Sequence, residues 1–89
     1  MQEGQIVVND GDCIAIFHSI HRVMKAEKVL KGEKLEILLI PVPRQLTSEC
    51  GLAIRFSLEL RKQVEEALSA AGVRVAEVWL QENGEFRRV

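Results

Sequence analysis

The 89-residue chain contains no tyrosine, one tryptophan and three phenylalanines, so aromatic residues make up only 4% of it. An RNA-reading sheet needs aromatic stacking residues within a basic surface, and "GLAIRFS" (51–57) is a poor match to that pattern. Cysteines number two and lack CxxC spacing, which excludes a disulfide framework, a zinc ribbon and a thioredoxin-type pair. No apolar run approaches the ~18 residues of a membrane helix. Charge of one sign is missing as well: 12 Lys and Arg stand against 13 Asp and Glu, for a net charge of −1. No overall field would gather nucleic acid or anionic lipid, so partners must be recognised locally. The first residues lack the basic region, apolar stretch and small-residue cleavage site of a signal peptide. Export is therefore not expected, and a cytoplasmic location, where thiols stay mostly reduced, is.

What is present fits one two-layer core, since a single core grows to about 100–150 residues before chains divide. Residues 1–12 combine a brief Ile6-Val7-Val8 run with the turn-forming "NDGD" and read as an N-terminal tail or short edge strand. "CIAIFHS" (13–19) is a short buried strand ending on Ser19, a helix N-cap. Ile20, Val23, Met24, Ala26, Glu27 and Leu30 then trace one stripe of a helix closed by Gly32. "LEILLIPVP" (35–43) is a second strand, stopped by prolines that cannot donate to a ladder. After a loop, "GLAIRFS" leads into a helix with Leu60, Val64, Ala67, Leu68 and Ala71 on its apolar face and Gly72 at its end. "VRVAEVWLQE" (73–82) is another strand, and Asn83-Gly84 is a type I′ turn into a C-terminal hairpin extension, 83–89.

"CIAIFHS" and "GLAIRFS" match at an offset of 38 residues, each ending in Ser before a helix. A β-α-β unit written twice gives an α+β fold, the ferredoxin-like βαββαβ two-layer sandwich over 13–82. Its antiparallel sheet has the order 4-1-3-2, with both helices on one face. Arg55 and Phe17 are then expected on the sheet face opposite Ile54 and Ile16. There Phe17, with Ala15, Leu38, Ile40 and Trp79, would make part of that face an apolar surface suited to a partner or a homodimer, unless the tail or hairpin folds over it. The same topology brings the turn after strand two to the start of helix one. Cys50 thus comes near Ser19 and His21, while Cys13 sits at the other end of a strand about 17–20 Å long. A disulfide needs Cα atoms within about 7 Å, so the two cysteines should not pair.

Cys50 lies in "PVPRQLTSECG" (41–51), among residues that do not look like buried neighbours. A thiol becomes a nucleophile or carrier when its thiolate is stabilised and within reach. Thr47 or Ser48 could cap a short helical turn beneath it, and Arg44 is a nearby cation. His21 stands in the first turn of its helix, where a neutral imidazole could relay a proton. The bland alternatives are a core-filling cysteine and an exposed histidine. His18 alternates onto the face of Ile14 and Ile16 and reads as a partly buried residue. His18, His21 and Cys50 lack a metal-ligand spacing, so neither a metal nor a cofactor is expected.

"FHSIHRVMKAEKVLK" followed by "LLIPVPRQLTSECGLAIRF" resembles a family of small bacterial proteins described as Se/S carrier protein-like, formerly a domain of unknown function. The motifs fall on Phe17, Ser19 and His21; on Ala26, Glu27 and Lys28; on Pro41, Pro43 and Arg44; on Ser48, Cys50 and Gly51; and on Arg55 and Phe56, with Ile20 where the family usually has Thr. The resemblance implies a carrier, rather than a stand-alone enzyme, linked to selenium metabolism. Sulfur or selenium would ride on Cys50 as a persulfide or selenosulfide, passed from donor to acceptor proteins. Ser19, His21 and Arg44 are then the shell around Cys50. Two other functions would use the same residues: an interaction module in which the thiol is incidental, and a thiol redox sensor.

Overall fold

The computed structural model describes residues 8–89, and its elements follow from local signals. In chain order they are β1 (Asp12–Ile16), α1 (Ile20–Gly32), β2 (Leu38–Pro41), β3 (Leu52–Ser57), a 3₁₀ turn (Leu58–Leu60), α2 (Arg61–Ala70), β4 (Glu77–Glu82) and β5 (Glu85–Arg88). The expectation of a tail or edge strand over 1–12 falls mostly outside the described residues. Within them, residues 9–12 form a turn in which Asn9 N–H donates to Asp12 Oδ2, and Gly11 takes φ +94°.

All strand pairs are antiparallel, and the order is β2-β3-β1-β4-β5. Among the described residues the sheet thus has five strands rather than the four of the 4-1-3-2 scheme, because β5 continues past β4. The connecting turn puts Asn83 at φ 54° and Gly84 at φ +78°, the two left-handed positions of a type I′ turn. Asp10 fixes it: its carboxylate oxygens accept from Asn83 N–H and Gly84 N–H, both at 3.1 Å.

Ser19 caps α1, its Oγ accepting from Arg22 N–H at 3.2 Å. At the other end Gly32 is not the stop. The helix runs through it, and Lys34 adopts the left-handed conformation, φ 62°. Leu35 N–H bonds Leu30 O and Lys34 N–H bonds Lys31 O, the paired bonds that close a helix one residue beyond its cap. The partly buried Leu35 side chain packs on the core and holds this end in place. In α2 the same closure falls where expected, on Gly72 (φ +72°). Replacing Ser19 with alanine is expected to lower stability by about 1 kcal/mol, read in urea denaturation. The rate at which Cys50 is alkylated should stay at the wild-type value, which separates capping from a role in the thiol's surroundings.

The core corrects the expected sheet faces. Val23, Ala26 and Leu30 of α1 and Val64 and Leu68 of α2 share one buried cluster with Cys13, Ala15, Phe17, Ile54, Phe56 and Leu80. Ile14, Ile16, Ile40, Ala53 and Leu46 form another, against which Val8, Val42, Trp79 and Phe86 pack. Phe17 is therefore not on an open surface; it is 1% exposed among the helix residues. Ile54 pairs with Ala15 across β1 and β3, so it lies opposite Ile16, not beside it. "CIAIF" is apolar at every position and carries no alternation, so either set of residues could face the helices. The offset of 38 also fails to match the pleats: Ala15 faces the helices while the corresponding Ala53 faces away. Strand β1 stops at Ile16, with Phe17 and His18 before the capping Ser19, whereas β3 runs through Ser57, which caps the 3₁₀ turn. The second face is not left bare. Leu46 of the 42–51 loop, Val8 and the hairpin residue Phe86 cover parts of it.

The helix stripes are narrower than the spacing suggests. Ile20 and Met24 of α1 are 42% and 44% exposed. On α2, Arg61 and Glu65 form an i,i+4 surface pair, Nε to Oε2 at 2.8 Å.

Candidate functional site

The segment joining β2 to β3 is built as a closed loop. Val42 N–H bonds Gly51 O across its base, and Leu46 N–H bonds Pro43 O in a turn that swings the Leu46 side chain into the second core cluster. Gly51 takes φ +77°, a conformation open to glycine, and sends the chain straight into β3. The short helical turn expected beneath Cys50 does not form. Instead Ser48 Oγ accepts from Cys50 N–H at 3.3 Å, a local side-chain-to-backbone bond that competes with helix formation and fixes a bend.

Cys50 is half-buried and packs against the core cluster under the helices, and the polar neighbours of its sulfur are backbone and one side chain. Its thiol donates toward Leu52 O at 3.3 Å and Phe17 O at 3.7 Å. Ser48 Oγ lies 3.5 Å from Sγ and 3.4 Å from Phe17 O. The hydroxyl thus has two destinations: Phe17 O, or the sulfur when the sulfur accepts. A thiolate cannot donate to the two carbonyls, and Ser48 is the side chain placed to donate to it.

Topology brings the loop to the end of β1, because Phe17 O, two residues before the Ser19 cap, is the atom both Ser48 and Cys50 reach. The expected shell is not in bonding contact with the sulfur. Ser19 Oγ is engaged with Arg22 N–H. His21 is exposed in the first turn of α1, and Arg44 is exposed in the loop turn. His18 is not partly buried: β1 ends before it, alternation no longer applies, and its exposed ring lies with Nδ1 3.9 Å from Glu49 Oε1. His18, His21 and Cys50 form no ligand group; among the described residues no cluster of three or more His, Cys, Asp or Glu could hold a metal ion. Ser48 is the residue whose part sequence reading missed. Its signal was the Ser-x-Cys spacing, which lets a hydroxyl reach the backbone N–H two residues on.

A cleft of about 340 Å³ opens beside the loop, lined by Phe17, His18, Thr47, Ser48, Glu49 and Glu77 among others. Glu77 is already engaged, accepting from Trp79 Nε1 at 2.8 Å and facing Arg88 Nη1 at 3.8 Å. Cys13 is fully buried on the central strand, and burial pushes its thiol up from the ordinary value. Arg61 opposes this, while Asp12 and Glu65 add to it. Both cysteines are free thiols.

Residues 12–80 match a family model described as "Putative Se/S carrier protein-like". The match runs from the first residue of β1 to Leu80 in β4 and includes the whole loop. No curated protein and no solved structure matches the chain.

Proposed function

The chain belongs to the Se/S carrier protein-like family, and from that premise we propose that Cys50 is the carrier thiol, holding sulfur or selenium as a persulfide or selenosulfide between a donor and an acceptor protein. The observation that carries this reading is the contrast between the two cysteines: Cys13 is sealed in the core, while Cys50 is half-buried on a fixed loop with a hydroxyl beside its sulfur.

Loading needs no oxidant. The Cys50 thiolate attacks the terminal sulfur of a donor R–S–SH; a new S–S bond forms as the donor's S–S bond breaks. R–S⁻ leaves and takes up the proton that Cys50 released, and the transferred sulfur keeps its oxidation state. Selenium follows the same path with Se in the terminal position. Ser48 turns its hydroxyl from Phe17 O to the charged sulfur during the attack. Arg44 and His21, exposed and unbonded to the resting thiol, would act on the longer –S–S⁻ group that projects from the loop. The protein works as a carrier, within a ferredoxin-like sandwich that has a fifth strand and both helices over one face.

Reduced protein treated with cysteine persulfide should gain one sulfur by intact mass in the wild type and in Cys13→Ser, and none in Cys50→Ser. Equal gain in wild type and Cys50→Ser would remove the reading. Ser48→Ala should still load, but about tenfold more slowly, the loss expected for one hydrogen bond to a charged atom of about 1.5 kcal/mol. An unchanged rate would take Ser48 out of the mechanism.

A further inference from the structure

We propose that the outer strip of α1, Ile20 and Met24 with Lys25 and Lys28, is the surface on which an acidic protein docks to exchange its sulfur or selenium with Cys50. The inference rests on the carrier reading and names the partner's side of it.

Two features mark the strip. Ile20 and Met24, at i and i+4, are 42% and 44% exposed, next to one another on the helix although the core takes Val23, Ala26 and Leu30 from its other side. A methionine at such a place gives a deformable apolar contact suited to a partner surface. The charge around them is predominantly positive. Arg22, Lys25, Lys28 and Lys31 are all exposed, and the helix's one carboxylate, Glu27, is tied to Lys31 at 2.9 Å. On a chain whose net charge is −1, α1 therefore concentrates positive charge that the rest of the molecule more than offsets. Position supplies the link to chemistry. The helix begins one residue after the Ser19 cap, and Phe17 O, just before that cap, touches both Ser48 and Cys50. A protein seated on the first turns of α1 would have its own thiol beside the loop.

Other occupants fit less well. A second copy would oppose like charges to like charges. An anionic membrane requires a broad apolar face to insert, and the remaining apolar face of α1 is already in the core. Nucleic acid would find no aromatic side chain on the strip to stack against. An acidic protein surface with an apolar recess satisfies both the cations and the two exposed side chains.

The test compares two donors. One is cysteine persulfide; the other is a purified cysteine desulfurase carrying sulfane sulfur on its own cysteine. From the desulfurase, the paired variant Lys25→Glu/Lys28→Glu and the single variant Met24→Glu should load Cys50 at least about tenfold more slowly than wild type, and wild-type loading should fall as salt rises. From the small persulfide all three proteins should load alike, which also shows that the variants are folded. Wild-type rates from the desulfurase in both variants would overturn the docking surface while leaving the carrier reading intact. No uptake from either donor would remove the carrier reading and this proposal with it. Wild-type protein sedimenting with phosphatidylserine vesicles, and the charge-reversed pair failing to do so, would assign the strip to a membrane instead.

Discussion

Replacing Phe17 with alanine is expected to destabilise the protein by about 3–5 kcal/mol, the range for removing a buried aromatic and leaving a cavity. Phe17 is 1% exposed and heads the large fully buried side chains. It packs in the cluster shared by α1, α2 and the central strands, so the space it leaves is walled from several elements at once and cannot collapse easily. A domain of this size has roughly 5–15 kcal/mol in all, so the variant should sit near its unfolding midpoint in modest urea. Ile20→Ala, made on an exposed residue three positions away, is the control and should stay within about 0.5 kcal/mol of wild type. The pair of measurements decides the sheet face. Were Phe17 on an open surface, as the uninterrupted apolar run "CIAIF" equally permits, its removal would cost about as little as that of Ile20. Equal, small effects from both would therefore overturn the packing described above.

Capping and turn chemistry could be read in the sequence because they depend on a few neighbouring residues. Ser19, Gly72 and Asn83-Gly84 act where the letters place them. Gly32 did not, since the end of α1 is set by Leu35 reaching the core, a tertiary contact that no local rule contains. The sheet faces were hidden for a related reason. A strand apolar on both sides has two equivalent ways to turn, and the choice is made by which side chains the helices find room for. The position of Cys50 beside the end of β1 followed from connectivity alone and holds at the level of Phe17 O. The identity of its neighbours did not follow. Topology brings segments together to within several ångströms, whereas a hydrogen bond is decided over a fraction of one, and Ser48 rather than Ser19, His21 or Arg44 occupies that distance.

The two thiols should differ in native reactivity by at least about a thousandfold. With iodoacetamide in neutral buffer, peptide mapping should place the label on Cys50, while Cys13 stays unmodified until urea carries the protein through unfolding, after which both react. Cys13 is 0% exposed on β1, hydrogen-bonded between β3 and β4, so a reagent reaches it only when the sheet opens. A thousandfold corresponds to an opening free energy of about 4 kcal/mol, below the stability of an ordinary domain. Burial also gives Cys13 a signature in alkali. Its folded pKa lies above the unfolded value of 9.0, so the unfolded chain releases the proton first. The contribution of Cys13 to stability is therefore complete below about pH 9 and is lost as pH rises through the folded pKa. Cys13→Ala should remove that alkaline loss and Cys50→Ser should not. Comparable labelling of both cysteines in native buffer would undo the burial of Cys13 and, with it, the idea of a single carrier thiol. If the difference holds, it restricts the chemistry further. On the carrier reading, a second thiol in the chain that attacked the inner sulfur of a Cys50 persulfide would expel the outer atom as sulfide and leave a disulfide, and the chain's only other thiol is locked in the sheet. On that reading the loaded atom has no thiol within the chain to escape to, and it would leave to one that another molecule brings to the loop.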